Sequence, residues 1–290
     1  MYQQYITHRN RAAIVIVIDR SLSMKKLTTI NSMPLSKAEA ASYVANFIID
    51  ELLIRATRNH KVRNYYDVAV IGYSGNGVES LLPGSDGGFI SIDRLAEYCP
   101  QPETIYIEQA MPDGESIRAP FTLHPWVRPF ASGTTPMYDA LVTVKDLVGA
   151  WCTHTDNRDS FPPLIFHIAD GDCSDADDAA LIDIAQRITK TSTRDGNTLL
   201  INVHLSSTDE VDEFCEVFPA ENTFFTKEPE RMMLYRMSST IPECMEPVIK
   251  DMLHPRSKGP YRAVAFNASV CELLSIINIG SESINSIKYL

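Results

Sequence analysis

The feature that most constrains the fold is a run of seven apolar residues, AAIVIVI at positions 12–18, that ends abruptly on Asp19. A continuous run of this kind lacks the alternation of a half-exposed strand and is typical of a strand buried on both faces. Such strands lie in parallel sheets that helices cover on both sides. Because Ser21 and Ser23 follow Asp19 at alternate positions, two interpretations arise: an ordinary polar turn, or three oxygen ligands at the carboxyl end of a strand.

Three further short runs rich in β-branched residues predict strands of the same sheet, and segments between them carry apolar residues at helical spacing. The predicted strands are residues 12–18, 68–73, 164–169 and 199–205, and the predicted helices are residues 35–56, about 137–151 and about 176–189. Strands that alternate with helices indicate βαβ units. We therefore expect an α/β fold with a doubly wound, mostly parallel, Rossmann-like sheet that has helices on both faces.

The segment from residue 74 to 131 interrupts this alternation. It is rich in Gly and Pro, and IYIEQAMPDGESIRA within it predicts a hairpin with a Pro-Asp-Gly turn. We expect an insertion or antiparallel edge of one domain over residues 1–250, with residues 251–290 as a C-terminal extension packed on that domain. Beyond residue 206 the predicted elements are a strand at NTFFT (222–226), a short helix at 231–237 and a C-terminal helix at 269–277.

Composition excludes several classes of function. The formal net charge of −11 over 290 residues argues against non-specific binding to nucleic acid, which needs a basic surface. The six cysteines include no C-x-x-C pair, so neither a zinc framework nor a disulfide-rich secreted scaffold is indicated. No apolar stretch reaches the roughly 20 residues of a membrane span, and the N-terminus lacks the layout of a signal peptide. We expect a cytoplasmic protein that binds neither nucleic acid nor membrane.

Oxygen donors from three distant segments are predicted to meet at one edge of the sheet, because the functional crevice of an open α/β sheet lies at the carboxyl ends of its strands. The donors are Asp19, Ser21 and Ser23 after the first strand, Thr134 and Thr135 in the loop before the second helix, and Asp170 after the strand at 164–169. Carboxylates and hydroxyls without His or Cys favour a hard divalent cation, Mg²⁺ first and Mn²⁺ second.

These motifs resemble the metal-ion-dependent adhesion site of von Willebrand factor A domains. The resemblance rests on D-x-S-x-S after an apolar strand, GTTPMYDAL before a helix and ADGD after a later strand, in the family's order over about residues 12–205. Compact bacterial cytoplasmic members, including those associated with tellurium resistance and encoded beside a phosphatase and a kinase, are most similar in layout.

The resemblance implies a role for each donor. Ser21 and Ser23 would coordinate the ion directly, and Asp19 and Asp170 would act mainly through bound waters and hydrogen bonds to the hydroxyls. Either Thr134 or Thr135 would face the metal, and alignment on PMYDAL favours Thr135. The implied metal site is therefore Asp19, Ser21, Ser23, Thr135 and Asp170.

The function that follows from the resemblance is metal-dependent protein binding without catalysis. An Asp or Glu carboxylate of another protein would complete the shell of the bound ion, in a cytoplasmic signalling or stress-response assembly with a kinase or phosphatase as a candidate partner. The alternative is a metal-dependent, phosphatase-like hydrolase that uses a metal-activated water. A scaffold that no longer binds metal is a third hypothesis.

Histidine offers no clear general base for that alternative. His167 lies inside the strand predicted at 164–169, and His204 lies near the end of the strand predicted at 199–205. We expect each to be a hydrogen-bonded core side chain, or one that supports the site from behind.

Overall fold

The computed structural model describes residues 2–30, 33–110, 116–207, 215–221, 224, 226–253 and 258–268. The strands are β1 (Ala12–Asp19), β2 (Leu27–Ile30), β3 (Met33–Ser36), β4 (Thr57–Arg58), β5 (Lys61–Val62), β6 (Tyr66–Ser74), β7 (Gly77–Ser80), β8 (Ile90–Ser91), β9 (Glu103–Ala110), β10 (Ser116–Leu123), β11 (Leu164–Ala169), β12 (Leu199–His204), β13 (Glu216–Val217) and β14 (Val264–Phe266). The α-helices are α1 (Lys37–Ala56), α2 (Ile92–Leu95), α3 (Met137–Thr153), α4 (Asp178–Lys190), α5 (Pro229–Met237) and α6 (Glu246–Leu253). Short 3₁₀ helices lie at Leu22–Lys25, Ala96–Tyr98, Thr155–Asn157 and Glu243–Met245.

The main sheet has the strand order β13-β14-β12-β11-β1-β6-β7, and β8 also pairs with β6. Its inner strands β14, β12, β11, β1 and β6 run parallel, whereas β13, β7 and β8 pair antiparallel at the edges. This is the mostly parallel α/β sheet with antiparallel additions that the sequence predicts. The chain leaves β1 for β6 on one side and later crosses to β11 on the other. The reversal of strand order therefore falls at β1, where open α/β sheets form their binding crevice.

Strand β1 is buried along its whole length, because each of its faces packs against helices. Ile14, Ile16 and Ile18 belong to the core that includes α1. Val15 and Val17 belong to the opposite core, which α3, α4 and α5 cover. The alternation of a strand thus divides the apolar run between two cores, so every position in it is apolar.

Helix α1 begins two residues later than the predicted start at residue 35. Pro34, which suits the first turn of a helix, instead lies in β3, where it is paired with Thr29 of β2. Ser36 and Glu39 form a capping box: the Glu39 backbone N–H donates to Ser36 Oγ at 3.2 Å, and the Ser36 backbone N–H donates to Glu39 Oε2 at 2.8 Å. These two bonds satisfy donors that would otherwise be exposed at the helix end, and they fix its first residue as Lys37.

The inserted segment contributes two structures. Strands β7 and β8 extend the edge of the main sheet, and β9 and β10 form the predicted antiparallel hairpin. The Pro-Asp-Gly turn of that hairpin lies outside the described residues. The hairpin packs on α1, where the rings of Phe47 and Phe121 lie 4.6 Å apart between centroids.

Beyond β12 the elements are short. The helix predicted at 231–237 is present as α5, and β14, within the predicted C-terminal extension, is a parallel neighbour of β12 in the main sheet. Of NTFFT, Phe224 and Thr226 are described and neither lies in a strand. The helix predicted at 269–277 lies outside the described residues. Across the described part of the chain, no helix combines the length and the apolar content that crossing a membrane requires.

Candidate metal centre

Asp19 ends β1 and is completely buried. Its Oδ1 accepts a hydrogen bond of 2.8 Å from the Ser21 backbone N–H, whereas its Oδ2 is buried without a hydrogen-bond partner among the described residues. Burial and, to a smaller extent, the charge of Asp170 raise the pKa of Asp19 to about 7. A buried carboxylate with one unpaired oxygen is costly to keep ionised, and a cation beside that oxygen would relieve the cost.

Ser21 and Ser23 place their hydroxyls side by side. Their Oγ atoms lie 2.9 Å apart, and the 3₁₀ helix from Leu22 to Lys25 gives this loop its shape. Leu22 between them is turned outward and is 55% exposed. Its backbone N–H donates to the Gly133 carbonyl at 2.9 Å, which ties the loop after β1 to the loop before α3.

The loop before α3 separates the two candidate threonines. Thr135 is buried and Thr134 is exposed. Ser174, in the loop after β11, binds Thr135 twice: its Oγ accepts from the Thr135 N–H at 2.9 Å and its N–H donates to the Thr135 carbonyl at 3.0 Å. The burial and anchoring of Thr135 favour it over Thr134 as the residue that faces inward.

Asp170 follows β11 and has a partner that the sequence does not predict. Its Oδ1 accepts from the Asp172 backbone N–H at 3.3 Å, and its Oδ2 lies 3.3 Å from Lys37 Nζ. The side chains of Lys37 and Asp170 are each only 3% exposed. A lysine in the first turn of a helix opposes the helix dipole. That unfavourable position is the one sequence signal that could have drawn attention to Lys37.

Lys37 and Asp170 also line a small pocket of about 90 Å³. Lys26, Asp172, His204 and Arg231 are among the other residues of its wall. Partial burial raises the pKa of Asp172, and the nearby Asp170 raises it further. The edge of the sheet beside the candidate centre is therefore rich in charge of both signs.

His167 is a core side chain and cannot serve as a base. Its Nε2 lies 2.8 Å from Tyr73 Oη, and its Nδ1 lies 2.8 Å from Asn202 Oδ1. Because the Asn202 amide nitrogen donates to Ser238 Oγ at 2.8 Å, its oxygen faces the imidazole, so Nδ1 carries the proton and Nε2 accepts from Tyr73. Burial lowers the pKa of His167 to about 4, so the ring is neutral near pH 7.

The donor set suits a hard cation. Within the described ranges, no group of three or more His, Cys, Asp or Glu side chains is arranged to hold a metal. The candidate donors are two carboxylates together with hydroxyls. Asp19 and Asp170 carry the negative charge, and Ser21, Ser23 and Thr135 are neutral. The unpaired Oδ2 of Asp19 is consistent in its chemistry with a hard cation, since oxygen donors of this kind bind Mg²⁺ while waters keep its remaining positions.

Comparison with known proteins gives similarity of structure only. No protein-family model matches the chain, and a search of curated proteins found no match. Among solved structures, it is similar to a von Willebrand factor type A protein from Catenulispora acidiphila, with 17% identity and a TM-score of 0.41 over 67% of this chain. It is also similar to an aerotolerance-related membrane protein from Bacteroides fragilis, with 15% identity and a TM-score of 0.37 over 78% of this chain and 86% of that one. This chain spans 33% of the Catenulispora protein.

Proposed function

We propose that this protein is a cytoplasmic, metal-ion-dependent protein-binding module without catalytic activity. The ion is Mg²⁺, or Mn²⁺ in its place, and the residues that hold it are Asp19, Ser21, Ser23, Thr135 and Asp170. An Asp or Glu side chain of another protein binds the same ion. The observation that carries the proposal is the buried Oδ2 of Asp19, which has no hydrogen-bond partner among the described residues.

The charge of the donor set explains why such an ion would attract a further carboxylate. Two carboxylates balance a divalent cation only if both are fully committed to it, and Asp170 is already shared with Lys37. Neutral hydroxyls add ligands without adding charge. The bound ion therefore keeps part of its positive charge, and a carboxylate from a partner can replace one of its waters.

The surface around the site suits a protein partner. Leu22 is 55% exposed and Phe130 is 37% exposed, and the guanidinium of Arg20 lies 4.4 Å from the centroid of the Phe130 ring. Arg20 is itself only 13% exposed and pairs with Glu79, so the exposed Phe130 ring is the feature that suits an interface, where aromatic residues are enriched. A cytoplasmic kinase or phosphatase of a signalling or stress-response assembly is the partner to be tested first.

Hydrolysis is less well supported, because His167 is not placed to take a proton from a metal-bound water. His167 has hydrogen bonds on both ring nitrogens and a pKa lowered to about 4. This neutral, buried ring supports binding over turnover. Metal-dependent cleavage of phosphoesters that is lost in Asp170→Ala would reverse this preference.

The test is thermal unfolding of the purified chain in MgCl₂ and in chelator. Binding to the folded state alone stabilises it by about 2.7 kcal/mol at an ion concentration 100 times the dissociation constant, so Mg²⁺ should raise the melting temperature of the wild type. Ser21→Ala should abolish that rise.

The neighbouring threonines supply a matched pair of variants. Thr135→Val should reduce the Mg²⁺-dependent rise and Thr134→Val should leave it intact. A wild-type melting temperature that is the same in Mg²⁺ and in chelator would contradict the proposal and favour a scaffold that no longer binds metal.

A further inference from the structure

A second cavity, of about 320 Å³, lies at the amino-terminal end of β12, whereas the candidate metal centre lies at the carboxyl ends of the strands. Leu199, the first residue of β12, lines this cavity, whereas His204, the last residue of β12, lines the small pocket beside Asp170. A strand rises about 3.3 Å per residue, so the two sites are roughly 16 Å apart along β12. The cavity is therefore distinct from the metal centre.

The charge of the cavity wall is positive although the whole chain is acidic. Lys190, Arg236 and Arg262 line it, and none of its described lining residues is acidic. Lys190 and Arg236 are exposed and form no ion pair within the described ranges. Arg262 lies 3.4 Å from Glu221, and its Nε is buried without a hydrogen-bond partner in the described part of the chain. The other nitrogens of Arg262 donate to Thr240 Oγ1 and to the Arg236 carbonyl. A second carboxylate, that of Asp195, lies near Tyr2 of the wall, so the three cations exceed the nearby carboxylates and the wall keeps a net positive charge.

The remaining wall is built for hydrogen bonds. Side-chain hydroxyls and amides from the end of α4 and from the segments before β12 and after α5 line it: Gln186, Thr189, Asn197, Ser239 and Thr240. The hydroxyls of Thr189 and Thr240 already donate, to the Gln186 carbonyl at 3.1 Å and to Glu221 Oε1 at 2.6 Å. Ser239 Oγ accepts from the Leu200 backbone N–H at 2.9 Å, which leaves the hydroxyl proton of this buried side chain for another acceptor. Such a wall suits a polar ligand rather than an apolar one.

We infer that this cavity binds a small phosphorylated metabolite. A phosphate monoester carries a charge of about −1.5 to −2 at pH 7 and three acceptor oxygens, which complement the positive charge of the wall and the donors of Lys190, Arg236 and Ser239. Arginine and lysine form their strongest hydrogen bonds with such oxygens. The volume is at the lower end of the range of about 300 to 1,000 Å³ for small-molecule sites. A sugar phosphate and a nucleoside monophosphate share this chemistry.

The test is isothermal titration of the full chain, in chelator so that the metal centre is not involved. Glucose 6-phosphate, adenosine monophosphate and inorganic phosphate are the probes, and glucose and adenosine are their uncharged controls. We expect saturable binding of at least one phosphorylated probe and none of the uncharged molecules. The two organic probes distinguish a sugar site from a nucleotide site, and the absence of saturable binding for all three phosphorylated probes would overturn the inference.

Surface variants locate the binding without threatening the fold. Lys190→Gln and Arg236→Gln should each raise the dissociation constant about tenfold, the equivalent of ~1.4 kcal/mol. The matched control is Arg187→Gln. Arg187 lies on α4 like Lys190, pairs with Asp183 at 2.8 Å and is not among the lining residues of the cavity. This control should leave affinity within about twofold. An equal loss in Arg187→Gln, or no loss in Lys190→Gln and Arg236→Gln, would contradict a site in this cavity.

Discussion

The ion pair of Lys37 and Asp170 allows a direct test of how charge is neutralised in the candidate metal centre. Lys37→Met keeps most of the length of the side chain and removes its charge. In the folded protein the two charges lie 3.3 Å apart and both side chains are 3% exposed. The variant therefore leaves the Asp170 carboxylate buried without its cation.

The expected cost follows from this burial. Removing one partner of a buried ion pair destabilises a protein by about 3 to 5 kcal/mol, because the remaining charge is uncompensated. A domain stable by about 5 to 15 kcal/mol would still fold. A divalent ion near Asp170 can replace the lost charge, so Mg²⁺ should stabilise Lys37→Met more than it stabilises the wild type.

Urea unfolding with and without Mg²⁺ measures both effects. In chelator, Lys37→Met should lose about 3 to 5 kcal/mol, and the double variant Lys37→Met/Asp170→Asn should recover part of that loss because it removes the orphaned charge. In Mg²⁺, the single variant should show the larger gain. A loss below about 0.5 kcal/mol, or an equal Mg²⁺ effect in variant and wild type, would refute the argument that Lys37 neutralises Asp170.

Two further predictions concern the supports of the site. The pKa of His167 is lowered to about 4 in the folded protein from about 6.5 in the unfolded chain, so between these values the unfolded state binds the extra proton. The contribution of His167 to stability therefore falls by roughly 2 kcal/mol from pH 7 to pH 5, while Asp19, whose pKa is raised in the folded protein, contributes in the opposite direction. Asp19 titrates in both proteins, so urea titrations should show a stability difference between the wild type and His167→Gln that shifts by roughly 2 kcal/mol over this range, and a constant difference would contradict this. Gly133 has a φ of +73°, and a Cβ there would lie 2.6 Å from Gly75 Cα. Gly133→Ala should therefore lower the free energy of unfolding by about 1 to 3 kcal/mol. It should also weaken the stabilisation by Mg²⁺. Gly149→Ala, where a Cβ meets nothing within 4 Å on helix α3, should instead stabilise by up to about 1 kcal/mol in the same assay.

The central sheet could be predicted from the sequence because its strands are buried on both faces. In β1, β11 and β12 nearly every position must be apolar, so the runs stand out from the rest of the chain. Strand β14 has only three residues. So short a segment holds too few positions for a periodic pattern, and its place beside β12 depends on long-range packing.

The start of α1 shows how local hydrogen bonding overrides a plausible pattern. Pro34 is favourable at the start of a helix, but the pairing of β2 with β3 and the cap at Ser36 move the first helical residue to Lys37. The apolar stripe of the helix indicates which of its faces is buried, but it does not indicate at which residue the first turn begins.

The candidate metal centre is likewise predictable from the sequence only in part. The positions of Asp19, Ser21 and Ser23 follow from where β1 ends, a point that the apolar run marks clearly. Lys37 and Asp170 are 133 residues apart in sequence, and no local pattern connects them. Thr134 and Thr135 have the same side chain at adjacent positions, so only the burial of Thr135 and its bonds to Ser174 distinguish them.

The most direct test of the proposed function is a crystal structure of the protein grown with Mn²⁺ and recorded at a wavelength where manganese scatters anomalously. We expect one strong anomalous peak among the side chains of Asp19, Ser21, Ser23, Thr135 and Asp170, and loss of that peak in Ser21→Ala. A wild-type crystal with full Mn²⁺ exposure and no peak beside Asp19 Oδ2 would contradict the central claim.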